Sequence, residues 1–255
     1  MVAKLSDRIE GNKYNGVGNA NPNLLINGDR LINQREFAAG QPAANVYGAD
    51  RWKGSADGLQ IEQVVENTES LDELATISWQ GGTGTASVNG QSGLISGETF
   101  TLTTSGNYSV IVPTDASKIK LEYGNTETPY QSRPIAEELA LCQRYYEKSY
   151  NLDTLAGSPS TFAGASSGYL PVEATVKLRI EGCGFVVTKR DTPSVTIYSP
   201  FSGAAGAIAF NSGLDVLSAP SGIGMSRFSV SSNTTVFQFG GSVLDVHWTA
   251  DAEIY

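Results

Sequence analysis

SRPIAEELALCQRYYEKSY, residues 132–150, is the one stretch of this chain with sustained helical periodicity, and the sequence on both sides of it alternates like β-structure. Ser132 reads as an N-cap whose hydroxyl accepts from an otherwise unpaired backbone N–H. Pro134 then falls in the first turn, where its missing N–H matters little. Glu137 and Glu138 follow at the positive end of the helix dipole, with Arg144 and Lys148 towards the negative end. Ile135, Leu139, Cys142 and Tyr146 recur at spacings of three and four and predict one apolar stripe. Leu141 and Tyr145 widen that stripe, so the predicted helix packs on two sides. Its plain role is to join and pack. Its sharper role is to offer Leu139, Leu141, Tyr145 and Tyr146 to a neighbouring subunit.

Working outward, LQIEQVV, LATISW, TFTLTT, YSVIVP and KIKLEYG precede the helix and read as strands, several alternating with period two. NLLING and YGADRWKG are apolar segments that close on turns. Gly81-Gly82, Asn89-Gly90 and Gly106-Asn107 supply further turns. After the helix come ATVKLRI, GFVVTK, SVTIYS, RFSVSS, VFQF and VLDVHWTADAEIY. Residues 151–168, NLDTLAGSPSTFAGASSG, read as a linker or an extended surface strand. Residues 199–224, rich in Gly, Ala and Ser, read as long loops at one end of a sheet. The fold class expected is mainly β: two antiparallel β-sandwich or jelly-roll-like domains joined by one amphipathic helix. The boundaries follow as an N-terminal arm over 1–22, a first β-domain over 23–131, the helix over 132–150 and a second β-domain over 151–255.

Composition agrees with short strands joined by many turns. Glycine is frequent, 28 of 255 residues, and charged residues make up only 17%, against about 25% in an average chain. A net charge of −9, with no basic stripe, argues against nucleic acid and against anionic membranes. The opening MVAKLSDRIEG lacks the apolar core of a secretory signal. No apolar run approaches the roughly 20 residues that span a bilayer. The expectation is therefore a protein made in a cytoplasm without membrane insertion, in which Cys142 and Cys183 are buried, unpaired small side chains.

Residues able to do chemistry are few. His247, in VLDVHWTADAEIY, is the only histidine, and period-two alternation puts Asp245 on its face of the strand. A catalytic pair would still need a placed nucleophile, so a structural histidine is the expectation. Glu66, Glu69, Asp72 and Glu73 form an acidic run that reads as a solvated loop. No His/Cys cluster has zinc spacing, and no glycine-rich segment has the context of a phosphate loop. No catalytic residue, cofactor or metal is predicted. Trp52, Trp79 and Trp248 are expected in cores. Tyr169, Tyr198 and Phe201 lie beside loop-like stretches and are the candidates for contact with a receptor or glycan.

Five segments, taken together, resemble a family of tailed-bacteriophage virion proteins described as tail fibres or receptor-binding tail proteins. They are NLLINGDRLINQR (23–35), YGADRW (47–52), KIKLEYGNTETPYQSRPIAEELALCQRYYEKS (118–149), TPSVTIYSPFSGAAG (192–206) and VHWTADAEIY (246–255), in the family's order. The resemblance implies an N-terminal jelly roll likened to carbohydrate-binding modules, the helix and a C-terminal β-domain. It implies a homotrimer on the particle surface, bound to other virion proteins and to a host surface glycan or receptor. Residues 53–117 are short for a full sugar-binding jelly roll, which points the first domain towards attachment or trimerisation. The function expected is a non-enzymatic virion protein that mediates host adsorption. The alternatives are a capsid-bound head fibre or decoration protein and, further off, a glycan-degrading depolymerase.

Overall fold

The computed structural model describes residues 20–38, 40–67, 70–170, 175–211, 213–237 and 242–255. Most of the expected N-terminal arm, together with Glu69 of the acidic run, lies outside the described residues. Strand accounts for 43% of the structure and helix for 4%, so the chain is mainly β. Among the described residues, every pairing between strands is antiparallel.

The region before the helix is a sandwich of two sheets. One contains β1 (Lys53–Gly54), β2 (Ile61–Val65), β7 (Tyr108–Val112), β4 (Ala86–Val88) and β5 (Gln91–Leu94), in that spatial order. The other orders β6 (Glu98–Thr104), β3 (Leu71–Gln80) and β8 (Ser117–Tyr123). Alternation drives the layering: Tyr108, Val110 and Val112 of β7 point inward, as do Phe100 and Leu102 of β6. Both sheets feed one apolar cluster with Leu25, Trp52, Ile77, Trp79, Ile119 and Leu121. Asn89 and Gly90 turn β4 into β5 with φ of +49° and +82°. That left-handed pair suits a two-residue hairpin, and Asn-Gly adopts it at least cost.

The region after the helix has its own core, sharing no residue with the first. Its strands are β9 (Tyr146–Lys148), β10 (Ser166–Leu170), β11 (Thr175–Gly184), β12 (Ser194–Tyr198), β13 (Ala207–Phe210), β14 (Leu214–Ser221), β15 (Arg227–Phe237) and β16 (Ser242–Asp251). They form one eight-stranded sheet along β10-β16-β13-β14-β15-β11, with β12 and β9 also on β16. Two long strands each change partners along their length. β16 pairs β10 and β13 through residues 242–246, then β12 and β9 through residues 247–251. β14 similarly passes from β13 to β15. The sheet curls until its terminal strands meet: a Cβ on Gly168 of β10 would lie 3.2 Å from Ile180 of β11. Leu244, Val246, Trp248 and Ala250 of β16 fill the interior with Leu178, Ile197, Ile208, Phe228 and Val230.

Several sequence expectations are corrected. The helix α1 is shorter, Ile135–Gln143, because residues 146–148 are a strand instead. The adjacent Tyr145 and Tyr146 favour extended backbone, and β16 offers hydrogen-bond partners at Thr249, Ala250 and Asp251. Ser132 does not cap α1. The N-cap is Pro134, with ψ 137° and no side-chain cap. Arg133, preceding a proline, is confined to extended backbone, so the helix cannot begin at Ser132, whose hydroxyl donates to Asp29 at 2.8 Å. Ile135 is 60% exposed and takes no part in the buried stripe, whereas Cys142 is fully buried. Lys148 lies in β9 and its Nζ donates to the carbonyls of Leu152 and Thr154. The stretch 199–224, read as loops, contains β13 and β14, whose small residues hid their alternation. Of GFVVTK, read as a strand, only Gly184 belongs to one, as the last residue of β11.

Candidate functional site

The segments that stand out in the sequence converge on the junction between the two cores. Asn27, in a left-handed conformation (φ 56°), is its first anchor. Its side chain donates to the carbonyls of Ile32 at 2.8 Å and Asp50 at 2.9 Å, and accepts from Ile32 N–H at 3.0 Å. Its backbone N–H donates to Glu138 of α1 at 2.5 Å, and its carbonyl accepts from Trp52 Nε1 at 2.8 Å. One buried asparagine thus ties the NLLING turn, the YGADRW turn and the helix together. Arg133 completes this side, reaching Glu138 at 3.1 Å and the carbonyls of Asn23 and Leu25.

Behind it lies a largely buried charged network that receives residues 251–255. Arg51, with 1% of its side chain exposed, pairs with the fully buried Glu253. Its guanidinium lies 3.5 Å from the centre of the Tyr145 ring. Arg35 reaches Asp50 and Asp251, each at 3.2 Å, and Glu253 at 3.5 Å, and stacks 3.7 Å over Tyr146. Gln34 Nε2 bridges Asp50 at 2.9 Å and the Tyr146 carbonyl at 2.8 Å. Tyr47 donates to the Ile254 carbonyl at 2.7 Å, and its ring meets that of Tyr255 edge-on. Burial pushes Asp50 above its ordinary value, with Arg35 opposing. Burial alone would lower Arg35, but Glu253, Asp251 and Asp50 outweigh it and hold the guanidinium above its usual range.

A second buried pair sits beneath the end of α1. Lys189 Nζ donates to Glu147 of β9 at 2.5 Å and to the carbonyls of Gln143 and Val187. A cation on the last carbonyls of a helix also complements its dipole.

His247 is fully buried. Its Nδ1 lies 2.8 Å from Ser149 Oγ and its Nε2 2.9 Å from the Thr161 carbonyl. A carbonyl can only accept, so Nε2 carries the proton and Nδ1 accepts from Ser149. Tyr150 stacks on the ring at 3.8 Å. Burial lowers the pKa of His247, with the Thr161 and Asp245 interactions opposing. Asp245 shares the face of His247, but its carboxylate accepts from Ser167 at 2.5 Å. Both imidazole nitrogens therefore hold the 149–161 segment against β16, which is a structural arrangement.

The expected contact aromatics are dispersed. Tyr169 is 68% exposed on β10 opposite Val243. Phe201 is 40% exposed in the loop after β12. Tyr198 is half-buried with its ring edge-on to Tyr150. Of the helix residues named for a subunit interface, Leu139 and Leu141 are half-buried. Tyr145 and Tyr146 are buried under Arg51 and Arg35 and are used within the chain. Trp52, Trp79 and Trp248 are core residues, and Cys142 and Cys183 are free and buried. In the acidic run, Glu66 pairs with Arg144 at 3.1 Å and Asp72 accepts from Thr103. Among the described residues, no group of His, Cys, Asp and Glu is placed to hold a metal ion. None of their helices is long and apolar enough to cross a membrane.

Two open clefts flank the junction. One, of about 540 Å³, is lined by Asp29, Arg30, Asn33, Phe37, Trp52 and Asp115 among others. The other, of about 590 Å³, lies between β2 and α1. Sequence reading did not single out Gln34, Arg35, Asp50, Arg51 or Glu253. The available signal was charge set inside otherwise aromatic segments, in YGADRW and TADAEIY. No family model, curated protein or solved structure matches the chain.

Proposed function

We propose that the chain is a non-enzymatic virion protein of a tailed bacteriophage, a tail-fibre or receptor-binding protein that attaches the particle to its host surface. One observation carries the reading beyond short sequence likenesses. Four of the five segments that resemble the family (23–35, 47–52, 118–149 and 246–255) are far apart in sequence yet interlock through Asn27, Arg35, Asp50, Arg51, Glu138 and Glu253. The likeness therefore falls on one structural unit. Its role here is mechanical: it couples a virion-proximal β-region to a distal one, whose loops and exposed Tyr169 and Phe201 meet the host. The protein works as a homotrimer, as the resemblance implies, and three weak sites on one particle then engage a repetitive glycan with avidity.

The test is adsorption. Purified protein is expected to bind host cells and to compete with the phage for them. Neither binding nor competition at high concentration would remove the receptor-binding role. Density for the protein on the capsid, with none at the tail tip, in electron micrographs of the particle would replace it with a head-fibre role. A monomer mass in light scattering would reject the trimer.

A further inference from the structure

The two open sheets of the first β-region end in four edge strands, β1, β5, β8 and β6. An edge strand offers unpaired N–H and C=O groups to any other chain, and stable proteins cover or distort it. Three of these edges are so treated. β1 is two residues long, and its outer side is taken by residues 45–46, through Asn45 N–H on the Gly54 carbonyl at 2.9 Å and Gly54 N–H on the Val46 carbonyl at 3.0 Å. β8 is covered by residues 23–28: Leu24 N–H donates to the Leu121 carbonyl, Ile119 N–H to the Gly28 carbonyl, and the Asn23 side chain takes the Leu121 N–H and the Ile119 carbonyl. β5 is bent by Gly93 at φ +84° and its pairing with β4 carries a register shift.

β6 has none of these devices. It pairs β3 without a register shift from Leu71–Thr104 to Ile77–Glu98. Residues 99–104, TFTLTT, contain no Lys, Pro or Gly, and threonine favours extended backbone. The neighbours decide which backbone groups face outward. Gly124 N–H donates to the Leu74 carbonyl, so Leu74 and Thr76 of β3 turn to β8. Ala75 and Ile77 therefore turn to β6, where the Ile77 carbonyl accepts from Gly97 N–H at 2.9 Å. Phe100 and Leu102, level with Ala75 and Glu73, thus bond β3, and Thr99, Thr101 and Thr103 direct their N–H and C=O away from it. The Thr103 carbonyl accordingly accepts from Asn89 Nδ2, in the β4–β5 turn, at 2.7 Å. Among the described residues, the N–H and C=O of Thr99 and Thr101 and the N–H of Thr103 meet no protein partner on that side.

We propose that the outer edge of β6 is a strand-addition site, which takes an extended segment of a partner protein as a further strand of the β6-β3-β8 sheet. The array itself selects the ligand class. Donor and acceptor recur together every second residue, about 6.7 Å apart, and an extended polypeptide backbone repeats at the same spacing. A sugar or an ion satisfies one such pair and not the series. A second copy of β6 is a poorer occupant: pairing two of these edges about Thr101 needs the Thr103 carbonyl of each, and Asn89 holds both. Backbone pairing supplies the affinity. On the solvent face the added segment lies beside Thr99, Thr101 and Thr103, where β-branched and aromatic side chains pair well. This inference does not depend on the virion reading, since any partner that supplies such a segment satisfies it.

The experiment uses the full chain labelled with ¹⁵N. In the free chain the amides of Thr99 and Thr101 should exchange with solvent at least about tenfold faster than those of Phe100 and Leu102, which bond β3. The probe is acetyl-Lys-Thr-Val-Thr-Val-Thr-Lys-amide. It should give saturable amide shifts centred on Thr99, Thr101 and Thr103 and, at saturation, slow Thr101 exchange at least about tenfold. The same peptide N-methylated at every residue lacks backbone donors and should give none of this. Thr101→Pro removes an outward N–H and leaves the β3 ladder whole, so it should weaken the probe at least about tenfold; Thr99→Pro is the substitute should that variant not fold. Slow exchange of Thr99 and Thr101 in the free chain would show the edge already covered, by this chain or by a second copy. That result, absence of shifts, equal binding of the N-methylated peptide, or unchanged binding in the proline variant would each overturn the proposal.

Discussion

Arg51 and Glu253 provide the sharpest test of how the two β-regions are joined. Both side chains are essentially inaccessible to water, at 1% and 0% exposure. Breaking a buried pair by removing one partner costs about 3–5 kcal/mol, because the remaining charge is stranded. Arg51→Met also removes the bond to the Val64 carbonyl and the stack on Tyr145, while Arg35 at 3.5 Å partly shields the abandoned Glu253. These corrections oppose each other, so about 3–5 kcal/mol stands for Arg51→Met. The same range holds for Glu253→Leu. The double variant strands no charge at this pair and should lie within about 2 kcal/mol of the parent, since apolar replacement of a whole buried pair is often neutral. The coupling between the two sites is then at least about 4 kcal/mol, above the range of about 0.5–3 kcal/mol usual for contacting residues. Urea denaturation measures it without adding salt that screens the charges. Trp248 reports the second core and Trp52 with Trp79 the first. The parent should unfold in one transition, and each single variant should separate the two cores. Single substitutions that cost under about 1 kcal/mol, or that simply add in the double variant, would refute the reasoning.

Other expectations follow from individual side chains. His247 has a lowered pKa when folded, so the unfolded chain binds its proton first as pH falls. The stability is intact above about pH 6.5, the unfolded value, and is lost below it by at most about 1.4 kcal/mol per pH unit; urea midpoints at pH 7.5 and 5.0 should show this loss, and His247→Gln should shrink it. Asn27→Ala should cost about 3–5 kcal/mol, because it leaves buried groups of Ile32 and Asp50 unpaired and puts Ala at positive φ; an effect below about 1 kcal/mol in the same denaturation assay would deny the clasp. Ser132→Ala should change stability by less than about 0.5 kcal/mol, not the roughly 1 kcal/mol of a lost N-cap, which calorimetry resolves. Tyr169→Ala should leave the melting temperature unchanged and lower adsorption to host cells, and unchanged adsorption would remove Tyr169 from the contact surface.

Strands were legible wherever β-branched and aromatic residues alternate, as in IEQVV of β2 and YSVIV of β7. There the pattern that identifies the strand is the same pattern that builds the core. Legibility failed where the few apolar residues that face the core, Ile208, Phe210 and Val216, stand among small ones. AIAF of β13 and LDVLSAPS of β14 lie in a glycine-rich and serine-rich stretch, so composition pointed to loops while tertiary pairing made strands. The end of the helix failed for a different reason. Residues 144–148 retain helical spacing of apolar side chains, but propensity is weak beside a full ladder of hydrogen bonds to β16. A local signal could place the start of the helix within three residues and could not see the strand that shortens it from the other end.

The junction shows why a site of this kind escapes a sequence reading. Burial of an arginine depends on a carboxylate that arrives from elsewhere in the chain, and Arg51 and Glu253 are separated by 202 positions. Neither residue alone departs from what an exposed loop would carry. Tyr145 and Tyr146 illustrate the converse: their spacing marked an apolar flank, and the partner expected there was another subunit. The partners are instead Arg51 and Arg35, which use the aromatic faces for cation–π contact and leave the rings no free surface. What α1 retains for an outside partner is therefore narrow, the exposed Ile135 and the half-buried Leu139 and Leu141. Of these, Leu141 lines the cleft between β2 and α1. A flank that looked like a broad interface in sequence is thus largely taken up by the chain's own arginines.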